Sequence, residues 1–183
     1  MTGNGTYRDW WWRPVLTAPM AATCVLTVGA AVPPGGSFAL TLVIVPAWFL
    51  SGLMWLVLLC YRNYRRSLWV LAPPLAGALT LALVGFGIPT KLAFLVSEPA
   101  LTRYARSLPE DERWASVRER VGLFSINGVQ RWNGVTQLRV ADSGGMLEQC
   151  GFAYLPGGDV RGLDVSSAER LSDDWYTVCV DFD

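Results

Sequence analysis

The feature that most constrains this chain is a long stretch without charge near its N-terminus. Between Arg13 and Arg62 lie 48 residues with no charged side chain, and another 24 such residues separate Arg66 from Lys91. A helix needs roughly 20 apolar residues, each rising about 1.5 Å, to cross the hydrocarbon core of a bilayer. The first stretch is therefore long enough for two crossings and the second for one.

A turn signal divides the first stretch at Pro33-Pro34-Gly35-Gly36-Ser37. The pattern thus predicts three transmembrane helices, near residues 15–32, 38–60 and 68–89. The alternative is that these segments are buried core helices of a soluble protein. It is disfavoured because only residues 97–183 would remain to cover them.

Arginines predict the orientation of the spans. The loop at 61–67 carries three arginines and the loop at 33–37 carries none. Short loops rich in Lys and Arg stay in the cytoplasm, and tryptophans collect at the membrane–water interface. The N-terminus is therefore predicted to be cytoplasmic and the C-terminal domain extracytoplasmic. The residues expected at the membrane interface are Trp10, Trp11, Trp12, Arg62, Arg65, Arg66 and Lys91, with the Lys91 amine extending toward the outer surface.

Span one has a second interpretation as a cleaved signal peptide, because a basic segment precedes an apolar one and small residues follow at 29–31. Cleavage there would leave the C-terminal domain on the same side of the membrane.

The charge distribution divides the chain into two parts. Residues 1–96 hold six basic residues and one acidic residue, net +5, whereas residues 97–183 hold nine basic and 14 acidic residues, net −5. We expect a membrane domain at 1–96 and an extracytoplasmic domain at 97–183, with the boundary near Ser97-Glu98-Pro99.

The polar domain is predicted to combine one helix with a small sheet. Ser107-Leu108-Pro109-Glu110 fits a helix start, and Trp114, Val117 and Val121 follow at helical spacing. Segments 123–132 and 135–141 are typical of strands joined by a type I′ turn at Asn133-Gly134, and Asn127-Gly128 suggests a further turn or a bulge. Segments 146–155 and 174–182 are two more strand candidates. The predicted fold class is a three-span α-helical membrane domain plus a small α+β domain with an antiparallel sheet of three to four strands.

Two of the four cysteines, Cys150 and Cys179, lie in the polar domain. A lone pair in an exported domain indicates a disulfide. It would close a loop of about 30 residues and stabilise the domain by roughly 3–4 kcal/mol in the chain-entropy model. The alternative is two free, buried cysteines. The absence of a CxxC spacing argues against zinc binding or thioredoxin-like redox chemistry.

The segment Cys150-Gly151-Phe152-Ala153-Tyr154-Leu155-Pro156, with the later Leu171 and Asp174-Trp175-Tyr176, resembles the short exported C-terminal domain of small multi-pass actinobacterial membrane proteins. The resemblance covers about 60 residues. It implies an exported topology, and it brings no activity and no catalytic residues.

Several function classes are disfavoured by what the sequence lacks. The chain has no His, which removes Ser-His-Asp triads and His-ligated metals. No charged residue lies at the middle of a predicted span, where proton relays and ion pathways usually need one. We therefore predict no catalytic residue, no cofactor and no metal.

The favoured hypothesis is a membrane-anchored accessory or interaction protein. It would present its exported domain to another envelope protein or an envelope ligand, and it would contact the lipid bilayer without binding nucleic acid. Small residues on spans one and three allow helix packing within one chain or in a homo-oligomer. The alternative is a small transporter or channel subunit, and a third class is an enzyme or metal-binding domain.

The junction between span three and the domain is unusually apolar. From Leu68 to Val96 there are 29 residues, or roughly 43 Å as one straight helix, against a hydrocarbon core of about 30 Å. Pro89 predicts a break. Beyond it we expect an apolar collar at the outer interface or under the domain, made by Leu92, Phe94, Leu95 and Val96.

Overall fold

The computed structural model describes residues 12–60, 68–110, 114–157 and 165–181. They form two compact units. The first comprises Met1–Gly29 and Leu40–Phe86, and the second comprises Ala30–Ala39 and Gly87–Asp183.

The first unit is built from apolar helices. Helix α1 is Trp12–Ala30 and α2 is Phe38–Leu59, and a short 3₁₀ turn, Leu68–Leu71, leads into α3, Ala72–Gly85. Helix α3 begins with prolines in its first turn, where the missing N–H groups need no partner.

Two segments, Phe38–Leu59 and Leu68–Gly85, are long and apolar enough to cross a membrane, judged by length and composition. Only 11% of the most apolar stretch of each is buried within the structure, whereas a core helix of a soluble protein is mostly buried. The apolar part of α1, Thr17–Ala30, is shorter than these two. The described part of the chain thus contains two candidate membrane-spanning helices, at the positions predicted for spans two and three.

Polar side chains tie the apolar helices together. The indole nitrogen of Trp48 in α2 donates a hydrogen bond of 2.9 Å to the Thr27 hydroxyl in α1, and the hydroxyls of Thr23 and Ser51 lie 3.5 Å apart. Two turns further along the same face of α2, the indole nitrogen of Trp55 donates to the Val70 carbonyl at 3.1 Å. Such hydrogen bonds and close packing hold helices together where no hydrophobic force between them is available.

The second unit packs helix α4, Ile88–Ser107, against a six-stranded antiparallel sheet in the order β1-β2-β3-β4-β6-β5. The expectation of three to four strands was wrong. The strands are β1 Ala115–Val121, β2 Phe124–Trp132, β3 Val135–Val140, β4 Glu148–Tyr154, β5 Ser167–Arg170 and β6 Trp175–Asp181.

The helix predicted to begin at Ser107 is also wrong, since α4 ends there and β1 follows. Leu108 is extended, with ψ at 137°, because the ring of Pro109 disfavours helical geometry in the residue before it. The apolar residues 115, 117 and 121 lie at alternate positions of β1 and pack on the core from there.

Both turn predictions within the central strands are confirmed. Asn133 and Gly134 join β2 to β3 with φ at 50° and 78°, as a type I′ turn requires. Near Asn127 the pairing of β2 with β3 shifts register between Ile126 and Gly128, which is the predicted bulge.

The core of the second unit lies between α4 and the sheet. Helix α4 contributes Phe94 and Leu101, whose side chains pack against residues of β2, β3, β4 and β6. This helix runs straight through the boundary predicted near Ser97. The break in the chain falls instead at Gly87, which has a φ of +65° and precedes Pro89 in the first turn of α4.

The four residues of the predicted collar separate into two groups. Phe94 is 1% exposed and belongs to the core of the second unit, whereas Leu92, Leu95 and Val96 are exposed on the opposite face of α4. Phe94 thus lies under the domain, which is one of the two placements expected for these residues, and the placement of the other three at a membrane interface stays a prediction.

The loop between α1 and α2 belongs to the second unit, and this was not predicted. Ser37 forms a parallel bridge with Gly144, whose amide donates to the Gly36 carbonyl at 2.9 Å. The Thr90 hydroxyl donates to the Ala31 carbonyl at 2.7 Å. The loop is thus fastened both to α4 and to the turn between β3 and β4.

Candidate functional site

A polar cleft of about 270 Å³ opens between the C-terminal half of α4 and the ends of β4 and β6. Helix α4 presents three of its lining residues at successive turns, and the turn before β6 supplies three more. The cleft is lined by Glu98, Thr102, Arg106, Tyr154, Ser172, Asp173, Asp174 and Trp175.

The floor of the cleft is the buried indole of Trp175. Its ring nitrogen donates a hydrogen bond of 3.1 Å to the Thr102 hydroxyl, so the one polar atom of the side chain is satisfied. The Tyr154 ring lies beside it, with ring centroids 5.0 Å apart. The floor is therefore held rigidly by packing and by a contact across to α4.

Arg106, near the C-terminus of α4, is held at one end of the cleft. Its Nε and Nη2 atoms donate to the Tyr154 hydroxyl at 3.1 and 2.9 Å, and its guanidinium carbon lies 5.8 Å from the centre of that ring. The tyrosine oxygen accepts both bonds, so its own hydrogen remains available to a ligand.

Carboxylates form the rest of the rim. Glu98 accepts a hydrogen bond of 3.0 Å from the Ser172 hydroxyl, and Asp174 accepts one of 3.3 Å from the Gly157 amide. Asp173 pairs with Arg170 at 3.2 Å. Each carboxylate can accept further hydrogen bonds. The lining contains three carboxylates against one guanidinium, which favours a ligand with a positive group.

The arrangement supports binding rather than nucleophilic chemistry. An activated serine needs a base that is itself oriented by a third group. The Ser172 hydroxyl instead joins the turn before β6 to α4 through Glu98. Within the cleft lining, this contact has a structural role.

The predicted interface residues lie elsewhere or outside the described part of the chain. Lys91 lies near the start of α4, where its Nζ atom pairs with Oε1 of Glu169 at 2.9 Å, and both side chains are exposed. Trp12 lies in α1, but its side chain is outside the described part, as are Trp10, Trp11, Arg62, Arg65 and Arg66.

The structure joins Cys150 and Cys179 in a disulfide, with sulfur atoms 2.06 Å and Cα atoms 4.1 Å apart. The two residues lie directly opposite each other in the β4–β6 pairing. Glu148 lies close enough to make a metal-binding group with them. Because the two sulfurs are bonded to each other, only one carboxylate ligand would remain, and this cluster does not fit a metal.

The sequence missed most of the cleft residues. Glu98, Thr102 and Arg106 lie four residues apart, which places them on one face of a helix. This spacing could have identified them, but the segment 98–106 was not predicted as helix. In the sequence, Tyr154 and Trp175 carry the resemblance to other membrane proteins and give no signal of a binding site.

A second cavity lies within the first unit. It is a groove of about 360 Å³ between the apolar helices, and its surface is almost entirely apolar. The lining residues are Met20, Trp48, Ser51, Gly52, Trp55, Pro73, Pro74, Gly77, Ala78 and Leu81. In a membrane, such a groove suits a lipid chain or a neighbouring helix better than an ion.

No protein-family model, curated protein or solved structure matches this chain. Its function is therefore inferred from its own residues.

Proposed function

We propose that this chain is a multi-pass membrane protein whose exported domain binds a basic segment of an envelope protein. The observation that carries the proposal is the acidic cleft on the second unit. It lies at the end of the sheet where β4 ends and β6 begins, whereas the chain joins the apolar helices at the other end, near Ala31 and Thr90. The cleft thus lies at the end of the second unit opposite the chain connections to the apolar helices.

The shared unit of the 30–39 loop and the C-terminal sheet supports the topology. Two segments that fold together must lie on the same side of a membrane, so an even number of crossings must separate them. The two candidate spans, Phe38–Leu59 and Leu68–Gly85, provide two crossings. The arginine-rich 61–67 loop then lies on the opposite, cytoplasmic side. Helix α1 is proposed as the first of three spans, connecting a cytoplasmic N-terminus to the exported loop.

The chemistry of the cleft indicates the partner. Glu98 and Asp174 can each accept hydrogen bonds from a guanidinium or ammonium group placed above Trp175. The Tyr154 hydroxyl offers a donor beside them. An Arg or Lys side chain in an extended segment would satisfy these groups, and the rigid floor would reduce the entropic cost of binding.

The alternative function, a small transporter or channel subunit, needs a polar path between the spans. The groove in the first unit instead has an apolar surface, to which Ser51 contributes the single hydroxyl among the lining residues. Within the described residues, the geometry of the helices therefore favours the interaction protein.

Affinity purification of the full chain in mild detergent tests the partner site. We expect one envelope protein to co-purify with the wild type and to be reduced at least about tenfold by Glu98→Gln with Asp174→Asn, since each charged hydrogen bond contributes roughly 1.5–3 kcal/mol. Glu119→Gln is the matched control, because Glu119 is exposed on β1 away from the cleft. Equal recovery with all three proteins would refute the proposed site.

Reporter fusions test the topology separately. Alkaline phosphatase fused after Asp183 should be active and a cytoplasmic reporter there inactive, with the reverse result in the 61–67 loop. An active cytoplasmic reporter after Asp183 would overturn the exported placement. We also propose a relationship to the small actinobacterial membrane proteins that the C-terminal domain resembles. Cross-linking in membranes would reveal a homo-oligomer.

A further inference from the structure

Large apolar side chains are exposed on two turns at the end of the sheet opposite the cleft. Leu123, in the turn from β1 to β2, is 50% exposed. Met146 and Leu147, in the turn from β3 to β4, are 77% and 70% exposed. Large apolar side chains that are this exposed on two adjacent turns form a patch, and such a patch indicates a binding surface.

Hydrogen bonds place the two turns beside the other apolar residues of the second unit. The Leu123 amide donates to the Ser97 hydroxyl at 3.0 Å, which fixes the first turn next to Val96 of α4. The Gly144 amide donates to the Gly36 carbonyl at 2.9 Å, which fixes the second turn to the 33–37 loop.

The same end of the sheet carries all the chain connections to the apolar helices. The loop that leaves α1 and enters α2 is bonded to Gly144 and, through Ala31, to Thr90 at the start of α4. This end of the sheet is therefore the end at which the chain passes from the second unit into the apolar helices.

We propose that this end is a membrane-docking edge, defined by Leu92, Leu95, Val96, Leu123, Met146 and Leu147, which inserts into the interface of the outer leaflet. The proposal rests on the proposed function, because it requires the apolar helices to span the membrane. It extends the interface from the helix to the two turns of the sheet.

The charges around the edge indicate the kind of lipid contact. The stretch Gly144-Gly145-Met146-Leu147 has no charge, and the residues that flank it, Asp142 and Glu148, are acidic. Lys91 before Leu92 and Arg120 before the Leu123 turn are basic, so charges of both signs border the edge and the proposed attraction is apolar insertion. The docking should therefore be insensitive to salt and should occur on zwitterionic bilayers.

Fluorescence quenching in reconstituted vesicles tests the docking edge. The full chain, with Cys24→Ala and Cys60→Ala, receives an environment-sensitive dye at Met146→Cys or, as the matched control, at Trp132→Cys. Trp132 is an exposed apolar residue at the other end of the sheet. The vesicles are phosphatidylcholine with or without bromine on the acyl chains.

Since an interfacial side chain lies about 5–10 Å into the headgroup–acyl boundary, bromolipid should quench the dye at 146 about threefold more than the dye at 132. Aqueous iodide should show the opposite order. Equal quenching at both positions would overturn the proposal. Loss of the protection of the dye at 146 from iodide when the protein is diluted in lipid would also overturn the proposal. Such a loss would mean that a second copy of the protein, and not the lipid, covers the edge.

Two controls keep the result interpretable. Formation of the Cys150–Cys179 disulfide, measured by alkylation without reductant, shows that each labelled protein is folded, and Leu123→Cys replaces Met146→Cys if that variant fails. Bromolipid quenching is the same for either orientation of the protein in the bilayer, whereas the activity of the reporter fusions depends on that orientation. Failure of the docking edge is therefore distinguishable from failure of the proposed topology.

Discussion

Gly35 packs directly against the sulfur atom of Cys150, so that a β-carbon at position 35 would overlap it. The loop between the first two helices is therefore seated on the disulfide that joins β4 to β6. Gly36 has almost the same backbone conformation, with φ at 76° against 73°, but a β-carbon there would meet only the Ala30 carbonyl, at 3.6 Å.

This difference gives the first prediction. Both Gly35→Ala and Gly36→Ala carry the cost of left-handed geometry, about 1–2 kcal/mol. Gly35→Ala should lower the melting temperature in mild detergent further than Gly36→Ala, because the loop must also move away from the sulfur. Equal melting temperatures for the two variants would show that the loop does not rest on the disulfide.

The second prediction concerns the disulfide itself. Its residues are 29 positions apart, and a loop of this length corresponds to roughly 3–4 kcal/mol of stabilisation in the chain-entropy model. Cys150→Ala with Cys179→Ala should lower the free energy of unfolding by that amount, whereas Cys60→Ala should have little effect. When the oxidised protein is unfolded in denaturant without reductant, alkylation should modify two thiols. Modification of four thiols would contradict the pairing.

The third prediction separates the two faces of α4. Phe94 is 1% exposed among aromatic rings of the core, and Val96 is 73% exposed. Phe94→Ala should destabilise the second unit by about 3–5 kcal/mol, and limited proteolysis should then cut faster at Arg103. Val96→Ala should leave the cutting rate close to that of the wild type, and a similar acceleration in both variants would contradict the placement of Phe94.

The fourth prediction tests the floor of the cleft. Thr102→Val removes the acceptor of the buried Trp175 indole nitrogen, and an unsatisfied buried donor costs about 1–3 kcal/mol. Thr102→Ser keeps the hydroxyl and should retain most of the stability. Thermal unfolding followed by tryptophan fluorescence measures both, and an equal loss in the two variants would contradict a stabilising role for the hydroxyl–indole hydrogen bond.

The fifth prediction concerns Lys91 and Glu169. Both side chains of this ion pair are exposed, and exposed pairs typically contribute about 0–1 kcal/mol to the free energy of unfolding. Glu169→Gln should therefore change the melting temperature by little, and the change should vanish at high salt. A large loss that persists in high salt would mean that Glu169 has a further role.

Local signals in the sequence predicted some elements well. The Asn133-Gly134 turn was visible because a type I′ turn demands residues that tolerate positive φ at both central positions. The break before α4 was visible near Pro89, since proline favours the first turn of a helix. Each of these depends on residues close together in the chain.

The missed elements depend on distant partners. All four residues of β5 are exposed, and the strand exists through its pairing with β6, so it has no apolar alternation to detect. The cleft is closed by contacts such as Glu98 with Ser172 and Thr102 with Trp175, which are 74 and 73 positions apart. The docking of the 33–37 loop is likewise a contact between distant segments.

The position of β6 has a consequence for how the protein is made. This strand lies between β4 and β5 and supplies Trp175 and Cys179, so the sheet stays open until the chain has been synthesised as far as Asp181. Until then, Phe94 can pack against Phe152 of β4 but lacks the indole of Trp175. Chains that stall before β6 would therefore leave part of this apolar core uncovered, and such unfinished copies would be recognisable to proteases.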